Sequence, residues 1–391
     1  MMLSWTEALT NIRNSQVKKR VKIVSVDESL HLVSAEELYS PISFPPFEQS
    51  AMDGYAIGKP TGNSFHLKGV FKAGDNAENV FLNDGECYRV FTGAMIPENT
   101  YAVIKQEDVN KNEEEIFIEK EIIAGENIRL IGEQCKKDQL ILKKDSLINA
   151  GTIGFLCMLG IEQVSVYDKP KIKIITTGNE LVDIHSTLQK GKIFESNSHT
   201  LKAVLNNFHF SAENIMVEDI PEKMILCVND AIESSDILLI TGGISVGDYD
   251  FVYDILQRLE VKESFYKIKQ KPGKPIFFGQ KGNHLIFALP GNPAAVLTCF
   301  YLYVLEAIAV FLGRNIPFLE KNKVKLNSDY KKSEKLTCFL KGKLLANSQV
   351  EILEHQSSAM LSSFVEADCL IILPEGKAQF FDGEEVEIIR I

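Results

Sequence analysis

Strand-like and helix-like segments alternate along the chain from Lys171, and this alternation limits what the chain can fold into. Short β-branched runs are followed by segments with helical spacing of apolar residues. This order is typical of a sheet of parallel strands covered by helices. We therefore predict a doubly wound α/β domain with a parallel sheet. Its predicted strands and helices, in chain order, are 172–176, 198–208, 214–217, 221–234, 237–240, 251–259, 285–289 and a helix from 293.

Four turns rich in glycine, proline or lysine interrupt this α/β pattern. They read TTGNE at 176–180, TGGISVGDYD at 241–250, KPGKP at 271–275 and LPGNP at 289–293. Three of the four follow a strand-like run, so we expect them at the edge of the sheet where open parallel sheets bind ligands. Glycines there let backbone N–H groups approach a phosphate or another oxyanion. A tight strand-to-helix turn without a ligand fits the loop 241–247 about as well.

Carboxylates follow several of these strands. Glu180, Asp219, Asp248 and Asp250 could converge on one edge of the sheet. Carboxylate oxygens suit Mg²⁺, which commonly bridges protein carboxylates and phosphates. For any single one of them, helix capping or solvation is the alternative interpretation.

Lysines alternate before the KPGKP turn. Lys267, Lys269 and Lys271 would place three ammonium groups on one face of a strand, and Lys274 follows in the turn. The functional interpretation is a cradle for an anion. The alternative is a solvated edge strand that its lysines keep from aggregating.

The composition is that of a multidomain soluble protein. The chain has 391 residues, 45% hydrophobic and 24% charged, and a net charge of −11, which argues against a nucleic-acid partner. Its seven cysteines include no Cys-x-x-Cys pair, which favours a reducing, cytoplasmic location. The histidines show no metal-ligand spacing.

Two segments with apolar residues are candidates for a signal peptide or a membrane helix, and neither is predicted to be one. Trp5, Leu9 and Ile12 have helical spacing and predict an amphipathic helix rather than a signal peptide. The apolar tract 294–312 contains Glu306, and we predict a buried helix there. We expect no membrane partner.

Changes of pattern along the chain predict four domains. Short strand-like pieces broken by turns precede and follow the α/β region. The predicted domains are a helical connector domain at 1–45 with 141–168, a β-rich domain at 46–140, the α/β domain at 169–315 and a C-terminal β-barrel at 316–391.

Two further motifs stand in the N-terminal half, SAMDGYA at 50–56 and TGA at 92–94. Together with the four turns, in this order, they resemble the molybdopterin molybdenumtransferase family, the MoeA-like enzymes that share a fold with the gephyrin E domain. The resemblance runs from about residue 44 to residue 374. No single motif is specific, and their order along the chain carries the resemblance.

The resemblance implies an activity, a cofactor and partners. Family members take adenylated molybdopterin and molybdate, insert the metal at the dithiolene sulfurs and release AMP, which gives molybdenum cofactor. Mg²⁺ is the expected cofactor. The resemblance further implies a homodimer in which the Asp53 and Thr92 segments are supplied to a site near the dimer interface. The molybdopterin adenylyltransferase is a candidate partner.

The resemblance also assigns roles to single residues. Asp219 and Asp250 are expected to hold Mg²⁺, and Glu180 with Asp53 to position the substrate or transfer a proton, so these four are the predicted catalytic residues. The predicted substrate-binding residues are Thr92, Gly242, Gly243, Ser245, Lys267, Lys271, Lys274, Gly291, Asn292, Lys341 and Ser358.

The chain departs from the family pattern at several positions. Lys341 stands where arginine is usual, and lysine lacks the two-pronged contact of a guanidinium, so we expect weaker molybdate binding. Gln134 and Asn179 stand where aspartate is common, and 294–295 is Ala-Ala where a serine is frequent. These departures keep open a pterin-binding scaffold without transfer activity. A nucleotide-hydrolysing enzyme on the same α/β module is a third candidate, but it leaves the N-terminal motifs unexplained.

Overall fold

The computed structural model describes residues 2–244 and 251–391. It divides into two compact units, the first being Ile23–Ser165 and the second Met1–Lys22 with Val166–Ile391. We call them the β-rich unit and the α/β unit and describe each by itself. The four domain boundaries predicted from the sequence are finer than this division and stay predictions.

The α/β unit starts with helix α1 (Trp5–Arg13). Ser4 caps it, since the Ser4 hydroxyl accepts from the Glu7 N–H and the Glu7 carboxylate accepts from the Ser4 N–H, a capping box. Trp5, Leu9 and Ile12 are buried, so the predicted amphipathic helix is confirmed.

The β-rich unit contains a six-stranded sheet with the order β7-β4-β6-β5-β9-β8. Tyr55, Ile57, Phe65 and Ile104 belong to a core on one face of this sheet, and Ala56, Val90 and Val103 are buried on the other face, so the central strand β4 is buried along its whole length. A helix, α2 (Ala150–Met158), follows at the place where the sequence suggested one. The strands are β1 (Val21–Ser25), β2 (Leu38–Tyr39), β3 (Gln49–Ser50), β4 (Gly54–Ile57), β5 (Ser64–Phe71), β6 (Glu86–Val90), β7 (Ala102–Lys105), β8 (Asn110–Lys111), β9 (Glu115–Phe117), β10 (Ile128–Arg129), β11 (Leu140–Leu142) and β12 (Gln163–Tyr167), with β1 and β12 extending across the two unit boundaries.

Strands and helices alternate after Val166, as the sequence predicted. Helix α4 has the predicted bounds, and Pro221 stands at its first turn, where its missing N–H costs no helical hydrogen bond. The elements are β13 (Ile172–Thr177), β14 (Leu181–Val182), β15 (Ile193–Phe194), α3 (Asn197–Asn207), β16 (Ala212–Val217), α4 (Pro221–Ser234), β17 (Ile237–Thr241), α5 (Phe251–Arg258), β18 (Lys262–Tyr266), β19 (Gln270–Lys271), β20 (Phe277–Lys281), β21 (His284–Leu289), α6 (Pro293–Cys299), a π-helical turn (Phe300–Val304) and α7 (Leu305–Leu312).

The central sheet has the order β16-β13-β17-β21-β20-β18, and the first four strands are parallel. Helices α4 and α5 bury one face around Ile240 and Ile286, while Ile174 and Leu239 are buried on the other face, and α3 contacts both β13 and α6. The doubly wound α/β fold is therefore confirmed, but the sheet is mixed. Strands β20 and β18 are antiparallel to their neighbours, and sequence reasoning missed them although a Gly-Asn pair at 282–283 is a hairpin signal.

The three alternating lysines do not share a strand, so that prediction is wrong. Strand β18 ends before Lys267, whose φ is +70°, and β19 begins only at Gln270. The ammonium of Lys267 lies 4.6 Å from the centroid of the Tyr266 ring, and Lys269 pairs with Glu375 at 3.6 Å. The positive φ breaks the alternation, because a strand places side chains on opposite faces only while the backbone stays extended.

The apolar tract after Pro293 forms α6, the π-helical turn and α7 in one run. Among the described residues it is one helical stretch, Pro293–Leu312, long and apolar enough to cross a membrane, and 83% of its most apolar window is buried inside the protein. Its burial matches the predicted core helix.

The C-terminal part of the α/β unit is a small β-barrel, as predicted. Strands β24, β25, β22, β28 and β26 pair in this order, and β26 pairs back with β24, which closes the sheet. Leu340, Val350 and Ile371 fill its interior. The strands are β22 (Lys321–Leu326), β23 (Tyr330–Lys331), β24 (Thr337–Leu344), β25 (Gln349–Ile352), β26 (Cys369–Leu373), β27 (Gln379–Phe380) and β28 (Glu385–Arg390).

Candidate functional site

A cleft of about 480 Å³ lies at the carboxyl ends of β13, β17 and β21. Parallel strands with this order place their carboxyl ends at one edge, which is the edge where the sequence analysis expected a ligand. All four predicted turns contribute to its wall, the KPGKP turn through Pro275 alone. The lining residues are Thr177, Glu180, Leu181, Ile193, Phe194, Glu195, Ser196, Asn197, Gly242, Ile244, Pro275, Pro290, Gly291, Asn292, Pro293 and Ala359.

Asp219 joins the ends of β13 and β16. One carboxylate oxygen accepts from the Thr177 hydroxyl, and the other accepts from the Asn179 N–H at 3.1 Å. The Asn179 side chain returns a contact, since its Oδ1 accepts from the Asp219 N–H at 3.3 Å. Asp219 therefore sits at the predicted edge with an orientation fixed by the neighbouring turn.

Glu180 is exposed and lines the cleft. Its carboxylate folds over Gly178, where a Cβ would lie only 2.8 Å from Oε1. A side chain at 178 would only push this flexible carboxylate aside, so the turn favours glycine because of its φ of +154°, which other residues rarely adopt.

The GG pair of the 241–250 loop is required by close packing. Gly242 has φ +94°, and a Cβ there would lie 2.3 Å from the Thr177 carbonyl oxygen. Gly243 has φ +61°. Of the residues predicted in this loop, Gly242 lines the cleft and Gly243 stands next to it, while Ser245 and Asp250, and Asp248 beside them, lie outside the described residues.

Sequence reasoning missed a segment that contributes to the cleft, 192–198. Glu195 is buried, and its carboxylate accepts from both the N–H and the hydroxyl of Ser198 at the start of α3. Asn197 donates from Nδ2 to the Gly291 carbonyl at 2.9 Å, while its Oδ1 is buried without a partner among the described residues. The ammonium of Lys192 donates to the Asn179 carbonyl. The polar run ESNS before a helix was the available signal, since such residues cap helices or meet ligands.

Asn292 and Ser358 connect the LPGNP turn to the C-terminal barrel. The Asn292 amide donates to the Ser358 hydroxyl at 3.0 Å, and the Ala295 N–H donates to the Ser358 carbonyl at 3.2 Å. Both residues were predicted to bind substrate, and the structure brings them together beside Ala359, which lines the cleft.

Lys341 lies on β24 and is fully buried. Its ammonium donates to the Ser357 carbonyl at 3.5 Å, and no salt bridge within residues 2–244 and 251–391 includes it. Burial lowers the pKa of Lys341 to about 8. The Gln356 amide bonds both backbone groups of Lys341, which fixes the loop 353–361 against this strand.

The lysines of the KPGKP turn face outward. Lys271 and Lys274 are exposed, whereas Pro272 and Gly273 between them are buried. Pro275 of the same turn lines the cleft. Lys267 is half-buried over Tyr266, as described above.

In the β-rich unit, Asp53 and Thr92 meet. One Asp53 carboxylate oxygen accepts from the N–H and the hydroxyl of Thr92, each at 2.8 Å, and these bonds hold the pKa of Asp53 below its usual value. Hydrogen bonds thus join two motifs whose bonded residues are 39 positions apart in the sequence.

No group of three metal-binding side chains occurs among residues 2–244 and 251–391. Asp219 supplies hard carboxylate oxygens at the cleft edge, and both already accept hydrogen bonds. A Mg²⁺ site that uses Asp219, with a phosphate completing the shell, stays a prediction.

The fold and the cleft define a class of protein, one built around a molybdopterin-binding α/β domain. A family model described as a probable molybdopterin binding domain matches residues 173–310. It is flanked by models of the MoeA N-terminal region (domain I and II) at 3–160 and the MoeA C-terminal region (domain IV) at 323–391. The chain belongs to the MoeA family of molybdopterin molybdenumtransferases.

Individual relatives support the same assignment along the whole chain. A molybdopterin molybdenumtransferase of Staphylococcus aureus is 30% identical over 98% of this chain and 94% of its own length. One of Haemophilus influenzae is 31% identical over 94% and 93%. The crystal structure of the molybdopterin biosynthesis protein MoeA from Pyrococcus horikoshii covers 100% of both chains with a TM-score of 0.85 and 27% identity. The protein is therefore an enzyme of molybdenum cofactor biosynthesis.

Proposed function

We propose that this protein transfers molybdate into adenylated molybdopterin and releases AMP. The observation that carries the proposal is the position of the cleft, whose wall is formed by the glycine turns after β13 and β17 and by the Gly291–Asn292 turn after β21. Such turns admit a phosphate-bearing ligand to the backbone N–H groups. The pterin would occupy the cleft, and molybdate would lie beside Lys341, Ser358 and the KPGKP lysines.

Asp219 and Asp250 would hold Mg²⁺ in this scheme. When bound, the ion neutralises the charge of the pyrophosphate link between AMP and the pterin phosphate. Glu180 would orient the substrate at the cleft wall or accept a proton. Lys271 and Lys274 would attract the molybdate dianion, since both ammonium groups are exposed.

The proposed assembly is a homodimer in the cytoplasm. The resemblance to MoeA-like enzymes supports a shared site to which Asp53 and Thr92 contribute, and the bond between these two residues preorganises that segment. Free cysteines support a reducing compartment. A molybdopterin adenylyltransferase would deliver the substrate.

The test mixes purified protein with adenylated molybdopterin, Mg²⁺ and molybdate and measures AMP and molybdenum cofactor. Molybdate-dependent release of AMP in equal amount to cofactor formed is the expected result. Binding of the pterin without AMP release would instead support the scaffold, which the lysine at 341 favours. When Asp219→Asn is tested in this assay, Glu218→Gln is the control for a general loss of acidic charge, since Glu218 is an exposed carboxylate next to Asp219.

A further inference from the structure

The KPGKP turn has an inward side whose partners the proposed function does not use. Its lysines are exposed, but Pro272 and Gly273 are buried, and Gly273 packs against Gln270 and against Cys299, the last residue of α6 before the π-helical turn of Phe300–Val304. The contacts on this inward side set where the backbone of the turn lies. The position of that backbone in turn decides from which points the side chains of Lys271 and Lys274 extend.

Gln270 is fully buried and bonds to the turn that follows it. Its Nε2 donates to the Pro272 carbonyl at 3.0 Å and to the Gly273 carbonyl at 3.3 Å. The Cys299 sulfur lies 3.7 Å from the same nitrogen. One side-chain amide therefore satisfies two successive carbonyls of a turn, a role that an apolar residue of equal size could not fill.

Tyr303 orients that amide through a hydrogen bond to its oxygen. It is also fully buried, and its hydroxyl donates to Gln270 Oε1. Burial raises the pKa of Tyr303 well above its usual value, so the hydroxyl remains a donor at all physiological pH values. Tyr303 stands in the π-helical turn, a local widening of a helix that is frequent at functional sites.

Gly273 closes the contact. It has φ +82°, and a Cβ there would lie 2.4 Å from the Cys299 sulfur and 2.9 Å from Gln270 Nε2. The turn backbone thus rests directly on these side chains without an intervening side chain of its own. If the Gln270 amide moved, the backbone of the turn would therefore move with it.

A purely structural alternative is a polar pair that happens to be satisfied in the core. Two apolar side chains would fill the same space without desolvating an amide and a hydroxyl. The pair instead directs its remaining hydrogen bonds at the KPGKP turn, which bears two exposed lysines. That direction distinguishes it from ordinary core packing.

We propose that Gln270 and Tyr303 are positioning residues, which fix the backbone of the KPGKP turn and thereby the spacing of Lys271 and Lys274 for the oxyanion substrate. The proposal rests on the proposed function for its substrate. The lysines touch the anion, and the pair acts through the turn.

The test compares Tyr303→Phe with Tyr301→Phe, a control that removes a hydroxyl from the same π-helical turn. The first readout is amide hydrogen exchange of residues 267–276, which does not depend on activity. We expect exchange there to be about 5- to 10-fold faster in Tyr303→Phe and unchanged in Tyr301→Phe, as loss of one buried hydrogen bond predicts. Unchanged exchange in both variants overturns the proposal.

The second readout is AMP release as molybdate is titrated. The KM for molybdate should rise about 5- to 10-fold in Tyr303→Phe with kcat within about twofold of wild type, since the substrate-bound site still forms. Gln270→Met, which keeps the side-chain length, should raise KM further. Faster exchange with an unchanged KM in an active enzyme overturns the substrate part of the proposal.

Failure of the proposed function gives a different pattern. If wild-type protein releases no AMP, that function is wrong, and calorimetric titration of molybdate alone then decides the positioning role. Weaker molybdate binding in Tyr303→Phe than in Tyr301→Phe supports the role, and equal binding overturns it.

Discussion

The Asn292 amide donates to the Ser358 hydroxyl at 3.0 Å and so connects the turn after β21 to a loop of the C-terminal barrel. These residues are 66 positions apart. The contact places the barrel loop 353–361, and with it Ala359, at the wall of the cleft. The central sheet and the C-terminal barrel of the α/β unit therefore both contribute residues to one site.

Removing this contact should affect catalysis more than stability. We expect Ser358→Ala to slow cofactor formation about 3- to 10-fold, because the loop loses one of its bonds to the LPGNP turn. Ser357→Ala, on the exposed neighbouring side chain, is the control and should leave the rate near wild type. Steady-state rates and thermal melts of both variants measure this, and equal rates would contradict it.

Lys341 should make molybdate binding depend on pH. Its pKa lies at about 8 against an ordinary value of 10.5, so the ammonium is charged below pH 8 and neutral above it. The KM for molybdate in wild type should therefore rise as pH increases through 8. Lys341→Arg keeps its charge and should show a nearly flat profile from pH 7 to about pH 9. Parallel profiles for the two proteins would show that another group titrates.

The same buried ammonium should lower the stability of the fold. Between pH 8 and 10.5 the unfolded chain binds the lysine proton and the folded chain does not, so the free energy of unfolding rises with pH across this window. Lys341→Met removes the effect, and we expect it to stabilise the fold at pH 7 by roughly 1 kcal/mol or more. Urea unfolding at pH 7 and pH 10 measures both expectations. A less stable Met variant at pH 7 would contradict them.

Asp219→Asn should keep the fold and lose activity. An amide retains one acceptor oxygen for Thr177 or Asn179 but carries no charge for Mg²⁺, so we expect stability to fall by about 1 kcal/mol and cofactor formation by about 10- to 100-fold. The exposed neighbour variant Glu218→Gln should change neither by much. AMP release at several Mg²⁺ concentrations tests this, and a wild-type Mg²⁺ dependence in Asp219→Asn would rule out the metal role.

Two glycine-to-alanine changes should have opposite signs. Gly242 has φ +94°, and a Cβ would meet the Thr177 carbonyl at 2.3 Å, so Gly242→Ala should destabilise by more than about 1 kcal/mol. Gly154 lies inside α2, and apart from its chain neighbours and the backbone of its own helix, no atom lies within 4 Å of the place that a Cβ would take. Gly154→Ala should stabilise by about 0.5–1 kcal/mol, since alanine has the higher helix propensity. Urea unfolding of both variants decides the signs.

Several elements could be predicted from the sequence because local patterns specify them. Helix α4 has the predicted bounds 221–234, since a proline at its start and helical apolar spacing both mark it. The β13 and β17 strands read as apolar runs because parallel strands are buried on both faces. The glycine turns after them were recognisable because they interrupt these apolar runs. Strand β20 (Phe277–Lys281) was missed, since it follows directly on the proline turn 271–275.

The sequence by itself determined the order of strands, helices and glycine turns, and the set of motifs that places the chain in its family. Only the tertiary structure decided which polar groups meet. Asn292 with Ser358, Gln270 with Tyr303, and the burial of Lys341 without a carboxylate partner in the described chain each depend on side chains that are distant in sequence. Local propensity acts over a few residues, whereas these contacts arise when whole elements pack, so no local pattern encodes them.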